Sequence, residues 1–186
     1  MKLFKAGILV FLSFYVFGNQ NNWVNELDSL NARIEKEYNK RFGIELTGTG
    51  GGGVQGFELY SPKFSRNRPT TRSESAILLL EVAEDLLKKI NVNPTLVQNM
   101  INFPFEPKNL SLSIFFSESS FESVKKGQIF CISLFPDKIR YGIRTTLGKR
   151  SNWEDIQLKT TLENIDNTHK RFPYLWECVE KSGAGQ

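Results

Sequence analysis

The stretch Gln128-Ile129-Phe130-Cys131-Ile132-Ser133-Leu134-Phe135-Pro136-Asp137-Lys138-Ile139-Arg140-Tyr141-Gly142-Ile143-Arg144-Thr145 decides the fold class. Its first part, Ile129 to Phe135, is almost continuously apolar, as a central strand buried on both faces should be. Pro136-Asp137 reads as a turn. Ile139, Tyr141 and Ile143 then alternate with Lys138, Arg140 and Arg144, the period of two that a half-buried strand requires. Two strands separated by so short a turn form an antiparallel hairpin.

Working outward, Leu110-Ser111-Leu112-Ser113-Ile114-Phe115-Phe116 also alternates, with Leu110, Leu112, Ile114 and Phe116 on one side. A polar stretch from Ser117 to Gly127 joins it to the hairpin, and a further strand is expected around Ile156 to Leu162. Towards the N-terminus, Ile44 to Thr47 and Phe57 to Tyr60 read as strands, the second reaching towards Phe64 with Pro62 at an edge or bulge. Between and around these lie helices. Trp23, Leu27, Leu30, Ile34 and Tyr38 share one face. Thr71 with Glu74 forms a capping box ahead of a helix apolar over most of its surface, from Ala76 to Ile90. Asn93-Pro94 starts a short helix, and Pro173 opens a last one over Tyr174 to Lys181. Strands in pairs and triplets interrupted by helices predict an α+β fold: an antiparallel sheet of about five to six strands with helices packed on one face.

The N-terminus has a different character. Lys2 and Lys5 precede an apolar run, Ala6 to Phe17, broken by Ser13, and Val16-Phe17-Gly18 fits a cleavage site. Residues 1–18 therefore read as a signal peptide, 19–181 as one α+β domain beginning at Asn19, and 182–186 as a disordered tail. The twelve residues from Ala6 to Phe17 span roughly 18 Å as a helix, short of the ~30 Å bilayer core, so a retained tether is the alternative to cleavage. Export would place the chain in the periplasm or outside the cell.

The formal charge of +4 falls by two, to +2, once Lys2 and Lys5 are set aside. So small a charge gives no reason to expect nucleic acid as a partner. Export would permit a disulfide between the two cysteines, Cys131 and Cys178, which chain-entropy reasoning values at about 4 kcal/mol. Two buried thiols are the alternative.

Candidate binding features are few. Seven of the fourteen glycines lie between Gly43 and Gly56, and Gly48, Gly50 and Gly53 mark a mobile hairpin loop that could contact a partner. Gly48 to Gly53 matches G-x-G-x-x-G by letter, but Val54-Gln55-Gly56-Phe57 leads into a strand where a dinucleotide site needs a helix N-terminus. Lys138, Arg140 and Arg144 should share a strand face, with Lys149 and Arg150 in the next loop, and together could meet an anionic partner or headgroup. His169 is the only histidine and has cationic neighbours, Lys170 and Arg171, which disfavour an imidazolium. No metal-ligand spacing links it to a cysteine. No catalytic residue, metal or cofactor is implied.

From Gly43 to Phe116 the order of features resembles a set of small, uncharacterised exported proteins of intracellular bacteria. The resembling elements are Gly43-Ile44-Glu45-Leu46-Thr47-Gly48, a leucine-rich helix ending Ile90-Asn91-Val92-Asn93, and Phe103-Pro104-Phe105-Glu106-Pro107-Lys108-Asn109-Leu110 before a strand. The resemblance implies export and carries no functional residue. The sequence thus leads to a non-catalytic binding or interaction module at or beyond the cell envelope, its partner a protein or envelope component. Membrane contact would come through an uncleaved signal or the basic patch. A small apolar-ligand carrier is the alternative, with Phe103, Phe105, Phe115 and Phe130 lining a cavity between helices and sheet.

Overall fold

The computed structural model describes residues 22–53, 56–116, 126–145 and 151–183. The expected signal peptide and the basic residues Lys149 and Arg150 lie outside them.

Helix α1 (Asn22–Phe42) buries Leu27, Leu30, Ile34, Tyr38 and Phe42, one side chain per turn. It ends at Gly43, whose φ of +64° is a left-handed conformation open to glycine. Next come four short strands, β1 (Glu45–Gly48), β2 (Gly51–Gly52), β3 (Leu59–Tyr60) and β4 (Lys63–Arg66). They form the two arms of one hairpin, β1 pairing with β4 and β2 with β3. Between these pairings Gly50 and Ser61 exchange backbone hydrogen bonds of 3.0 and 2.7 Å.

Helix α2 (Arg72–Asn91) follows, begun by the capping box that Thr71 and Glu74 predict. Its apolar surface wraps so far round that eleven of its residues are buried. The Asn93 side chain caps α3 (Pro94–Gln98), and a 3-10 turn (Pro107–Asn109) leads into β5 (Leu112–Phe116). The meander continues through β6 (Ile129–Phe135), β7 (Lys138–Arg144) and β8 (Ser151–Gln157). Three helices close the chain: α4 (Leu158–Glu163), α5 (Thr168–Arg171) and α6 (Pro173–Gly183).

The sheet has six strands in the order β1-β4-β5-β6-β7-β8. It is mixed, not purely antiparallel as the sequence led us to expect, because β4 and β5 run parallel, Phe64 opposite Ile114. The cause is the connection: α2 and α3 carry the chain back across the sheet, so β5 starts from the same end as β4. Leu112, Ile114, Phe116, Ile132 and Leu134 face a single core shared with the leucines of α2, with Ile34 and Tyr38 of α1, and with Leu158, Leu162 and Leu175.

Two further expectations are corrected near the C-terminus. The strand placed around Ile156 to Leu162 begins earlier, at Ser151, and gives way to α4 at Leu158. Leu158, Thr161 and Leu162 are the buried positions, a helical spacing that the β-branched threonines obscure. Helix α6 also extends to Gly183, into the segment expected to be tail.

Polar contacts fasten the helices to one another. Buried Glu84 accepts hydrogen bonds from the N–H groups of Tyr174 (3.0 Å) and Leu175 (2.9 Å), so a carboxylate from α2 caps the first turn of α6. Asn91 donates to the carbonyls of Leu87 and Phe105 and accepts from the Phe105 N–H at 2.8 Å. Asp85 joins α1 to α2: the Tyr38 hydroxyl donates to it at 2.7 Å, Arg41 at 3.0 Å, and Lys89 lies at 2.8 Å. Burial works against the charge on Asp85, but the hydrogen bonds from Lys89, Tyr38 and Arg41 outweigh it and hold the carboxyl below its ordinary pKa. Burial, and then the Asp85 bond, push the Tyr38 hydroxyl far up, so it remains a donor.

A carboxyl depressed in the folded state stabilises the fold above its unfolded pKa, and the contribution disappears as pH falls through the folded value. Asp85→Ala should therefore cost about 1–3 kcal/mol at neutral pH, where it strands the buried Tyr38 hydroxyl. The difference from wild type should shrink below about pH 4. Urea unfolding of both proteins at neutral and acid pH measures this, and an equal difference at both would contradict the assignment.

Candidate functional site

Strand β7 places Lys138, Arg140, Gly142 and Arg144 on the face of the sheet turned away from α2, alternating with Ile139 and Tyr141 in the core. The strand register extends this face into rows. Phe115, Cys131, Gly142 and Trp153 stand opposite one another on β5 to β8, and Ser113, Ser133, Arg140 and Asp155 form the next row.

Of the five basic residues expected to form a patch here, one is paired and one is buried. Arg140 makes a two-pronged ion pair with Asp155 at 2.7 and 2.9 Å, and its guanidinium lies 4.6 Å over the Phe135 ring. That pairing holds the Asp155 carboxyl below its usual range. Arg144 is buried, only 3 % exposed. Lys138 is half-buried, and Lys149 and Arg150 fall outside the described residues. The expected alternation is present, and the charge of Arg140 is matched on β8, a strand whose pairing with β7 the sequence does not reveal.

What the face does present is aromatic. Trp153 is 54 % exposed and Phe115 38 %. Between them the buried Phe130 ring lies flat across Gly142, where a Cβ would come within 2.6 Å of Phe130 Cζ and 3.0 Å of Trp153 Cζ3. Trp153 meets Phe130 edge-on, with centroids 5.4 Å apart. Below, the Ser113 and Ser133 hydroxyls share a hydrogen bond of 2.8 Å. The result is a rigid shelf whose exposed rim consists of a tryptophan and a phenylalanine.

The expected disulfide is absent: Cys131 and Cys178 are not bonded to each other. Cys131 packs with Phe130 on the face turned away from α2, 3.6 Å from the Ser133 hydroxyl, whereas Cys178 belongs to α6, a helix of the main core layer. The sheet separates them, too far for the geometry a disulfide needs. Burial pushes both thiols up, Cys178 to about 11 with Glu106 reinforcing the shift.

The glycine-rich hairpin makes a concave feature. Gly48 sits where the β1–β4 register slips, Gly50 pairs with Ser61, and Gly53 is so close to the Gly56 carbonyl that a Cβ there would overlap it. Gly51 and Gly52 both have φ of +136°, and a Cβ on Gly51 would overlap the Leu59 carbonyl. An open groove of about 650 Å³ runs along them, lined by Gly51 to Gly53, Glu58, Leu59, Lys108 and Asn109. Lys108 is paired with Glu106 at 2.7 Å and Asn109 donates to the Glu58 carbonyl at 3.1 Å, which leaves Leu59, the exposed Glu58 carboxylate and glycine backbone as the open wall.

The remaining candidates resolve individually. His169 stacks on Trp176 at 3.9 Å on the surface, and among the described residues no group of His, Cys, Asp and Glu could hold a metal. The four phenylalanines proposed to line one cavity are dispersed. Phe105 is core, stacked on Phe57 at 4.9 Å; Phe103 is exposed; Phe115 and Phe130 belong to the sheet face. Compared with known proteins, the chain matches no family model, no curated protein and no solved structure.

Sequence reasoning missed the Trp153–Phe115 shelf. Phe115 breaks phase with the apolar side of its strand, and that was the available signal; Trp153 stands in a stretch too polar to read as a strand.

Gly142→Ala should destabilise the protein by about 1–3 kcal/mol, since the buried Phe130 ring has nowhere to retreat. A melting temperature equal to wild type would show that the ring can move. Alkylation followed by mass spectrometry should find two reactive thiols after unfolding. In the folded protein both should react slowly at pH 8, where about one Cys178 in a thousand is ionised.

Proposed function

We propose that this chain is a non-catalytic binding protein, exported by its N-terminal segment to the cell envelope or beyond, and that it engages its partner through the sheet face bearing Trp153 and Phe115. The exposure of Trp153 on a rigid aromatic shelf is the observation that carries this reading. A large, flat, amphipathic side chain held in place by its neighbours loses little entropy on binding and buries much area. The neutralised Arg140–Asp155 pair beside it offers hydrogen bonds without net charge, which suits a protein or a neutral envelope component better than an anionic one.

Three of the paired carboxylates already serve the fold. Glu84 caps α6, Asp85 links α1 to α2, and Glu154 pairs with Arg72 at 2.6 Å beside Tyr141. Asn19 would be the first mature residue if the signal is removed, and a tethered form follows if it is retained.

Immobilised full-chain protein is exposed to a solubilised envelope fraction, and each retained species is quantified against a Trp153→Ala, Phe115→Ser variant of matched melting temperature. Loss of a tryptophan at the centre of an interface costs 2 kcal/mol or more, so specific species should fall by about thirtyfold. Equal retention by the two proteins would remove the sheet face from the proposal. Saturable, stoichiometric uptake of an apolar fluorescent probe would favour the carrier instead.

A further inference from the structure

The six-stranded sheet ends in two edges that differ in kind. At one, β1 is four residues long and its register slips between Leu46 and Gly48, so this edge is short and bulged, as native sheets are where further pairing is discouraged. At the other, β8 is seven residues long, pairs with β7 without a register shift from Ser151 to Gln157, and contains no proline, glycine or lysine. Asn152 to Asp155 are all exposed.

The ladder determines which backbone groups of β8 look outward. Leu158 N–H donates to the Asp137 carbonyl at 2.8 Å, one step beyond the Lys138–Gln157 pair. Bonded and non-bonded pairs alternate in an antiparallel ladder, so Ile156, Glu154 and Asn152 bond to β7, while Gln157, Asp155, Trp153 and Ser151 turn their N–H groups to the open side. Arg144, opposite Ser151, has the matching phase: its carbonyl accepts from Gly127 N–H and its own N–H donates to Gln128, both on the β6 side. Among the described residues, none bonds the outward N–H and carbonyl groups of Trp153 and Asp155. The two acidic side chains of the strand would repel another like it if they stood bare, but Glu154 is paired with Arg72 at 2.6 Å and Asp155 with Arg140 at 2.7 Å.

We propose that β8 pairs antiparallel with β8 of a second copy of this chain, about a two-fold axis through Glu154, joining the two sheets into one. This register engages the whole strand. Trp153 of each chain stands opposite Asp155 of the other and exchanges both backbone bonds with it, and Gln157 N–H reaches the Ser151 carbonyl. At the axis the two Arg72–Glu154 pairs form a neutral group, and on the outer face the two indoles become diagonal neighbours within aromatic reach. A second copy suits this edge better than a foreign peptide, whose recognition would need side-chain pockets beside the strand, where exposed Asn152, Trp153, Glu154 and Asp155 stand instead. The blunted β1 edge prevents growth from the other side, so assembly closes at two. The contact uses the sheet edge and goes beyond the role assigned to the sheet face, on which it does not depend.

In sedimentation velocity over a wide concentration range, the full chain should show a monomer–dimer equilibrium. Glu154→Cys places two Cα atoms about 4.5 Å apart at the axis, within disulfide range, and mild oxidation with copper phenanthroline should give a 154–154 crosslink identified by peptide mass spectrometry. Asn152→Cys, about 13 Å from its counterpart on the same face, should give none. Gln157→Pro removes one outward N–H where φ is already −58°, an angle proline adopts. Its melting temperature at low concentration should match wild type while the dimer dissociation constant rises about threefold or more; Asp155→Pro, nearer the axis, should raise it about tenfold or more. Phe115→Ser, on β5, should leave dimerisation unchanged. The proposal is overturned if the protein stays monomeric throughout, if Glu154→Cys does not crosslink, if Asn152→Cys crosslinks as readily, if both proline variants dimerise like wild type, or if Phe115→Ser abolishes the dimer. A strictly monomeric protein would leave the edge to a strand of another protein, and loss in Phe115→Ser would move the contact to the sheet face.

Discussion

The parallel pairing of β4 with β5 holds the molecule together. On one side lies the hairpin from Glu45 to Arg66, on the other the meander from Leu112 to Gln157, and each alone would expose an unpaired central edge. Joining them in parallel requires a crossover, and the crossover is α2 with α3. Much of the rest follows. A helix laid across the middle of a six-stranded sheet, with α1 on one flank and α6 on the other, meets protein nearly all round, so Leu78, Leu79, Leu80, Val82, Leu86 and Leu87 are all buried. Its few polar positions must then find partners inside the structure. Glu84, Asp85 and Asn91 do so by receiving α6, α1 and the Phe105 strap.

One face of the sheet is thus committed to the helix layer, and the other is left to serve as a surface. The protein manages that second face by making its centre rigid. Gly142 lets Phe130 lie flat, Ser113 and Ser133 satisfy each other, and Arg140 is matched by Asp155 across the β7–β8 ladder. Aromatic exposure is left at Trp153 on the edge strand and at Phe115 on the interior strand β5.

Most of the elements were legible in the sequence because each carries a local cause. Thr71 and Glu74 announce the start of α2, Asn93-Pro94 that of α3, and the alternation of Ile139, Tyr141 and Ile143 the inner face of β7. What escaped depends on contacts distant in sequence. The parallel β4–β5 pair escaped because the chain contains a single crossover, which an element pattern of strands in groups does not single out. The edge strand β8 escaped because Ser151 to Gln157 owes its conformation to the β7 ladder rather than to its own composition. The candidate site suffered from the same blindness. Lys138, Arg140 and Arg144 do share a face, but that Asp155 would neutralise one and burial would claim another is a property of the assembled sheet.

The cap that Glu84 supplies to α6 has a temporal side. Its N–H donors at Tyr174 and Leu175 lie 90 and 91 residues further along, so a chain emerging from its N-terminus presents this carboxylate long before they exist. Lys88, one helical turn on and 2.8 Å away, is available from the moment α2 forms. It can accompany the charge through the interval and remain beside it afterwards. The last helix thus docks onto an ion pair already in place, and no bare carboxylate has to wait in an apolar groove for its partner to be made.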